Sequence, residues 1–143
     1  MEFYLTQTKA VKRTEELVKS PLVETHPVIF NVYSLEDLMA RKFIALYDRT
    51  EGKDIYDLFY CLDLEFSFKK LYNALDMMIE FYKLDRSTFV KELLQSVENA
   101  RKNAYYIGNS TNNFIPRKRR PDWDAFIATL ALKIEKNFHD DFL

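Results

Sequence analysis

A lysine in the middle of an apolar helical stripe constrains this chain more than any other feature. Between Ser34 and Leu62 the sequence reads SLEDLMARKFIALYDRTEGKDIYDLFYCL. Its first half places Leu35, Leu38, Met39 and Leu46 on one face at helical spacing. At 100° per residue Lys42 falls within that stripe, and Arg49, seven residues on, lies almost above it. Asp37, Arg41 and Asp48 fall on the opposite, solvent-facing side. A lysine on a buried face destabilises the fold unless an anion meets it. A helix packed through this stripe therefore needs a carboxylate of the chain or a phosphate of a ligand against Lys42.

The second half of the stretch supplies carboxylates. After a turn of about five residues around Gly52, Asp54 and Asp57 share one face of a following helix, continued by Leu58, Cys61 and Leu62. A turn this short predicts antiparallel neighbours, with Lys42, Arg49, Asp54 and Asp57 converging. Two interpretations fit the spacing. One is a structural ion-pair cluster with Asp54 as the helix N-cap; the other is a ligand pocket.

The succession Leu35-Glu36, Leu38, Ala40, Lys42, Ala45, Arg49 and then Lys53-Asp54-Ile55-Tyr56-Asp57-Leu58 resembles the C-terminal motifs of AbiEii/AbiGii-type nucleotidyltransferases. These are the toxins of abortive-infection, type IV toxin–antitoxin systems. The resemblance implies transfer of a nucleotidyl group from an NTP, with Mg²⁺, to an acceptor. Lys42 and Asp54 would be catalytic, the first on the phosphates and the second orienting or deprotonating the acceptor. Arg49 and Asp57 would be substrate-binding. Phosphoryl-type chemistry needs such positive charge near developing oxyanions and a positioned nucleophile.

The chain also departs from that family. The catalytic half carries a Gly-Ser motif and a strand with Asp-x-Asp that holds the metal ions. The only glycines here are Gly52 and Gly108, and no Asp-x-Asp lies on an apolar, strand-like segment. Asp122-Trp123-Asp124 follows Pro121 and opens a helix, where Asp is a routine cap. No metal ligands are assigned, and His26 and His139 have no partners at ligand spacing. The implied entity is the C-terminal part of an enzyme, incomplete alone. Its catalytic half, or an antitoxin-like protein, would be a partner. The strand-like Met1–Thr6 suggests a sheet edge open to another chain.

With 48% apolar and 15% aromatic residues, 143 residues suffice for one core. One cysteine, Cys61, excludes an internal disulfide and suits a reducing cytoplasm. A net charge of −1 gives no general attraction to nucleic acid, and no apolar run approaches membrane-spanning length.

Along the chain, residues 1–33 read as extended, with strands at Met1–Thr6 and Val28–Tyr33 around a polar Val11–Ser20 of loop or short helix. Beyond Ser34 the periodicity is helical: the two helices above, then Phe68–Lys83, a helix opened by Asp85–Thr88, and one from about Asp122 to Phe138. The fold expected is α+β, mainly α: a β element of two strands at 1–33, a remnant of the nucleotidyltransferase sheet, then a domain of about five helices at 34–143, folding as one unit. Asn109–Pro121 reads as a polar connection holding Arg117, Lys118, Arg119 and Arg120. These, with Tyr105, Tyr106 and Phe114, fit either RNA binding or a solvated basic loop. The functional alternative to the enzyme is a non-catalytic helical module that binds an antitoxin-like protein or a nucleic acid.

Overall fold

A computed structural model describes residues 13–18 and 28–138. Six α-helices make the body: α1 (Leu35–Arg49), α2 (Gly52–Cys61), α3 (Phe68–Phe81), α4 (Phe89–Lys102), α5 (Ala104–Thr111) and α6 (Trp123–Asn137). They are preceded by β1 (Arg13–Val18) and β2 (Val28–Tyr33), paired antiparallel with Arg13 opposite Tyr33.

Local chemistry sets the helix boundaries. Ser34, Ser67 and Asp122 cap α1, α3 and α6, each accepting from the amide three residues on. Such caps contribute about 1 kcal/mol each. Thr50, with φ 42° and ψ 52°, ends α1 in the left-handed region, and α2 starts two residues later. The chain therefore doubles back through Thr50 and Glu51 alone.

Packing closes around α1. It lies mainly against α3 and also touches α2 and α4, while α4 and α5 pack on α6. Met39, Phe43 and Leu46 of α1 are wholly buried with Leu58 of α2, Leu75 of α3 and Ile127 of α6. Phe138 closes the far end, its ring 5.1 Å edge-on to Phe43.

The α+β expectation is corrected. From Leu35 to Asn137 the body is helical with no strand, and it has six helices rather than five. Among the described residues the two strands pair only with each other, and such a ribbon supplies no sheet layer on which to stack a core. The strand expected over Met1–Thr6 lies outside the described residues, as do His26 and His139. Part of Val11–Ser20, expected as loop or helix, is instead β1.

The additional helix, α5, interrupts what read as a polar connection. Asn and Thr are weak helix formers, so local propensity hid it. Tertiary contact accounts for it, and both glycines of the chain serve that contact. A Cβ on Gly52 would stand 2.0 Å from Thr111 Oγ1, and one on Gly108 would stand 2.5 Å from Trp123 Cδ1. Trp123 has little room to yield: it is buried, and its Nε1 donates to Asn112 Oδ1 at 2.9 Å. Gly108→Ala is therefore expected to destabilise the protein by about 1–2 kcal/mol through overpacking. Helix propensity alone would stabilise it by about 1 kcal/mol. Urea denaturation decides the sign.

Candidate functional site

The residues singled out on α1 and α2 meet. Lys42 Nζ lies 2.9 Å from Asp54 Oδ1 and 3.0 Å from Asp57 Oδ2. Arg49 Nε is 3.5 Å from Glu51 Oε1 and 3.8 Å from Asp54 Oδ2. The order of these pairs follows from the reversal at Thr50: the late residue of α1 meets the start of α2, and the earlier one reaches both its first and second turns. Lys53 joins the network through Glu51 Oε2 at 3.3 Å.

Burial grades the cluster. Asp54 is 2% exposed, and the Lys42 side chain retains 11% of its surface, whereas Asp57 is half exposed. Asp54 is not the N-cap expected of it. Glu51 holds that position without a side-chain cap bond, and Asp54 is the third residue of the helix. There the N-terminal end of the helix dipole favours its charge. Asp54 Oδ2 is buried and has no hydrogen-bond partner among the described residues.

Opposing effects act on Lys42. Burial alone would lower its pKa, but hydrogen bonds to Asp54 and Asp57, with their charges, raise it above the usual 10.5. Cys61 borders the same face, and its thiol is pushed up by burial and by Asp57, with Lys42 opposing. Tyr56 is raised by burial, by its bond with Tyr60 and by Asp57, while Arg119 pulls it down. Tyr56 thus feels both the cluster and the basic turn.

Arg117, Lys118 and Arg119 form an exposed 3-10 turn, and Arg120 Nε donates to the Ile115 carbonyl at 3.0 Å. Tyr105, Tyr106 and Phe114 are 75%, 73% and 86% exposed.

Two further sequence expectations fail on α1. Asp37, expected in solvent, is 1% exposed and ion-paired with Arg41 at 3.0 Å. Arg41 in turn lies over the Tyr33 ring, 4.8 Å from its centroid. Leu38, expected within the buried stripe, is 39% exposed. Near its N-terminus α1 is covered on a second side, by Tyr33 and by Ser67, whose amide donates to Glu36 Oε1 at 3.0 Å. The buried arc is consequently wider than, and rotated from, the apolar stripe. The i, i+4 spacing of Asp37 and Arg41 was the available signal.

The donor set does not suit a divalent metal. No group of three or more His, Cys, Asp or Glu that could hold one occurs among the described residues. Asp54 and Asp57 instead enclose an ammonium, whose charge would repel a second cation. No described helix is long and apolar enough to cross a membrane.

Comparison with known proteins assigns the class: the chain is nucleotidyltransferase-like. The family described as "Nucleotidyl transferase AbiEii toxin, Type IV TA system" matches residues 5–142, and the chain belongs to it. No curated protein and no solved structure matches it.

Removing the Lys42 ammonium leaves Asp54 buried with Arg49 as its remaining cation. Lys42→Met is expected to cost about 3 kcal/mol of stability in chemical denaturation, and Lys42→Met with Asp54→Leu to recover much of it.

The raised pKa also fixes a pH dependence. Stability from Lys42 is complete below 10.5 and is lost as pH rises through the higher folded-state value. Over that alkaline window the denaturation midpoint should fall more steeply in wild type than in Lys42→Met. Tyrosines ionise in both proteins, so the difference between them isolates Lys42.

Proposed function

We propose that this chain supplies the phosphate-holding and acceptor-orienting side of a nucleotidyl-transfer site. The observation that carries this reading is Asp54 Oδ2, a buried carboxylate oxygen without a hydrogen-bond partner among the described residues, beside the cations Lys42 and Arg49. A buried acceptor of this kind is costly unless a bound group donates to it. An acceptor hydroxyl is such a group.

Lys42 has three donors and gives two to Asp54 and Asp57, leaving one for a phosphate oxygen. Arg49 supports the same charge from the adjacent turn. In the reaction the acceptor oxygen bonds to the α-phosphorus, and the bond from that phosphorus to the bridging oxygen of pyrophosphate breaks. The hydroxyl proton passes to Asp54, and pyrophosphate leaves with the electron pair. Lys42 and Arg49 offset the charge that develops on the phosphates. Asp57 keeps Lys42 oriented. Mg²⁺, as generally used with NTP by nucleotidyltransferases, would neutralise phosphate charge from ligands other than Asp54 and Asp57. In this reading those ligands come from a catalytic half in cis or in trans, and the chain alone is a poor enzyme or none.

A second reading draws on the exposed Tyr105, Tyr106 and Phe114 beside the basic turn. That surface suits a module binding RNA or an antitoxin-like protein without catalysis.

The test is incubation of the purified protein with labelled NTPs, Mg²⁺ and bulk RNA or protein acceptors, with circular dichroism on each variant to confirm folding. The expected result is a nucleotide-induced thermal shift that is lost in Lys42→Met, with any slow label transfer by the chain alone abolished in both Asp54→Asn and Lys42→Met. Absence of transfer, together with no nucleotide-induced thermal shift, overturns the claim that this chain handles NTP. RNA retention without either signal favours the second reading.

A further inference from the structure

An open groove of about 440 Å³ runs between the first turn of α2 and the face of α5. One wall is Glu51, Gly52 and Lys53; the other is Tyr106, Ile107 and Phe114. The two walls meet at Gly52, where the absence of a Cβ lets Thr111 approach. A groove of this size holds one nucleoside rather than a length of strand.

Three observations converge on its occupant. First, Tyr106 and Phe114 leave 73% and 86% of their surface in water on the same groove, as platforms on which a flat ring can stack. Tyr105, equally exposed, does not line it. Second, Glu51 and Lys53 line the groove and also belong to the ion network that contains Arg49, so groove and network share two residues. Third, that network is electrically balanced. Lys42, Arg49 and Lys53 face Asp54, Asp57 and Glu51, three charges of each sign. A neutral cluster draws a polyanion weakly, so most of the affinity for a phosphate-bearing ligand has to come from its uncharged part. A ligand with a flat apolar ring, hydroxyls and a polyphosphate tail fits all three.

We propose that this groove seats the nucleoside of the nucleoside triphosphate, its base stacked on Tyr106 and Phe114. Glu51 accepts from the ribose hydroxyls, and the phosphates extend toward Arg49 and Lys42. This deepens the nucleotidyl-transfer reading and rests on it. The base is held by Tyr106 of α5 and Phe114 of the 3-10 turn that follows it, and the phosphates by α1, so nucleotide binding bridges separate elements.

Binding of each of the four common ribonucleoside triphosphates and of inorganic tripolyphosphate to the full chain, by titration calorimetry at one fixed Mg²⁺ concentration, tests the assignment. At least one triphosphate should bind more tightly than tripolyphosphate. Tyr106→Ala and Phe114→Ala should each weaken it about tenfold, the ordinary effect of losing one stacking partner. Tripolyphosphate affinity should be unchanged in both, and Tyr105→Ala should alter neither ligand. All three rings are exposed, so the variants are expected to fold. Equal affinity for NTP and tripolyphosphate, with tripolyphosphate binding lost in Lys42→Met, overturns the groove and leaves the phosphate site standing. Failure of wild type to bind either ligand overturns both. Weakening of a single-stranded oligoribonucleotide but not of NTP in Tyr106→Ala also overturns the proposal, and gives the groove to an acceptor strand.

Discussion

The bond from Lys42 to two aspartates is the constraint on which the rest depends. An ammonium and a carboxylate this close to the core are tolerated because each is hydrogen-bonded to the other. The bond also determines how α1 and α2 lie. With only Thr50 and Glu51 between the helices, the first two turns of α2 must present Asp54 and Asp57 to Lys42. That orientation brings Gly52 against Thr111, draws α5 into the body and leaves the groove between them. Altering the pair would disturb packing well beyond it.

This arrangement separates two tasks that one charged cluster would otherwise combine. The carboxylates that could have held a metal hold a lysine. The cations that could have drawn a polyanion from a distance are neutralised in place. In the proposed reading, what remains is short-range recognition: one ammonium donor and one buried carboxylate oxygen. Membership of a toxin family gives this some sense. A site without long-range pull would discriminate by shape, which in the proposed reading is carried by α5 and the turn that follows it.

Legibility in the sequence followed the range of the interaction. Lys42, Arg49, Asp54 and Asp57 could be brought together from helical spacing and a short turn, because the contacts lie within 15 residues. The cap at Ser34 was legible for the same reason, as were the main helices. Asp37 was misjudged because one apolar stripe says nothing about a second neighbour covering another side. The boundary at Asp54 was misjudged because Glu51 starts the helix without any side-chain bond that would mark it. Helix α5 and the groove were invisible, since both depend on α2 meeting α5 across more than 50 residues of chain. The basic run was plain as composition, but its proximity to Tyr56 was not.

One contact at the far end of α2 bears on how this site works. Lys133 of α6 donates to the Phe59 carbonyl at 3.1 Å and to Asp63 at 2.6 Å, with its ammonium 3.6 Å from the Phe59 ring centre. Gly52 meanwhile holds the near end of α2 against α5. The helix that carries both aspartates is therefore a beam pinned at its two ends, with little freedom to slide or tilt. Lys42, bonded to both carboxylates, is held by the helix they ride on. In mechanical terms the acidic half of the cluster is an anvil against which the lysine is clamped.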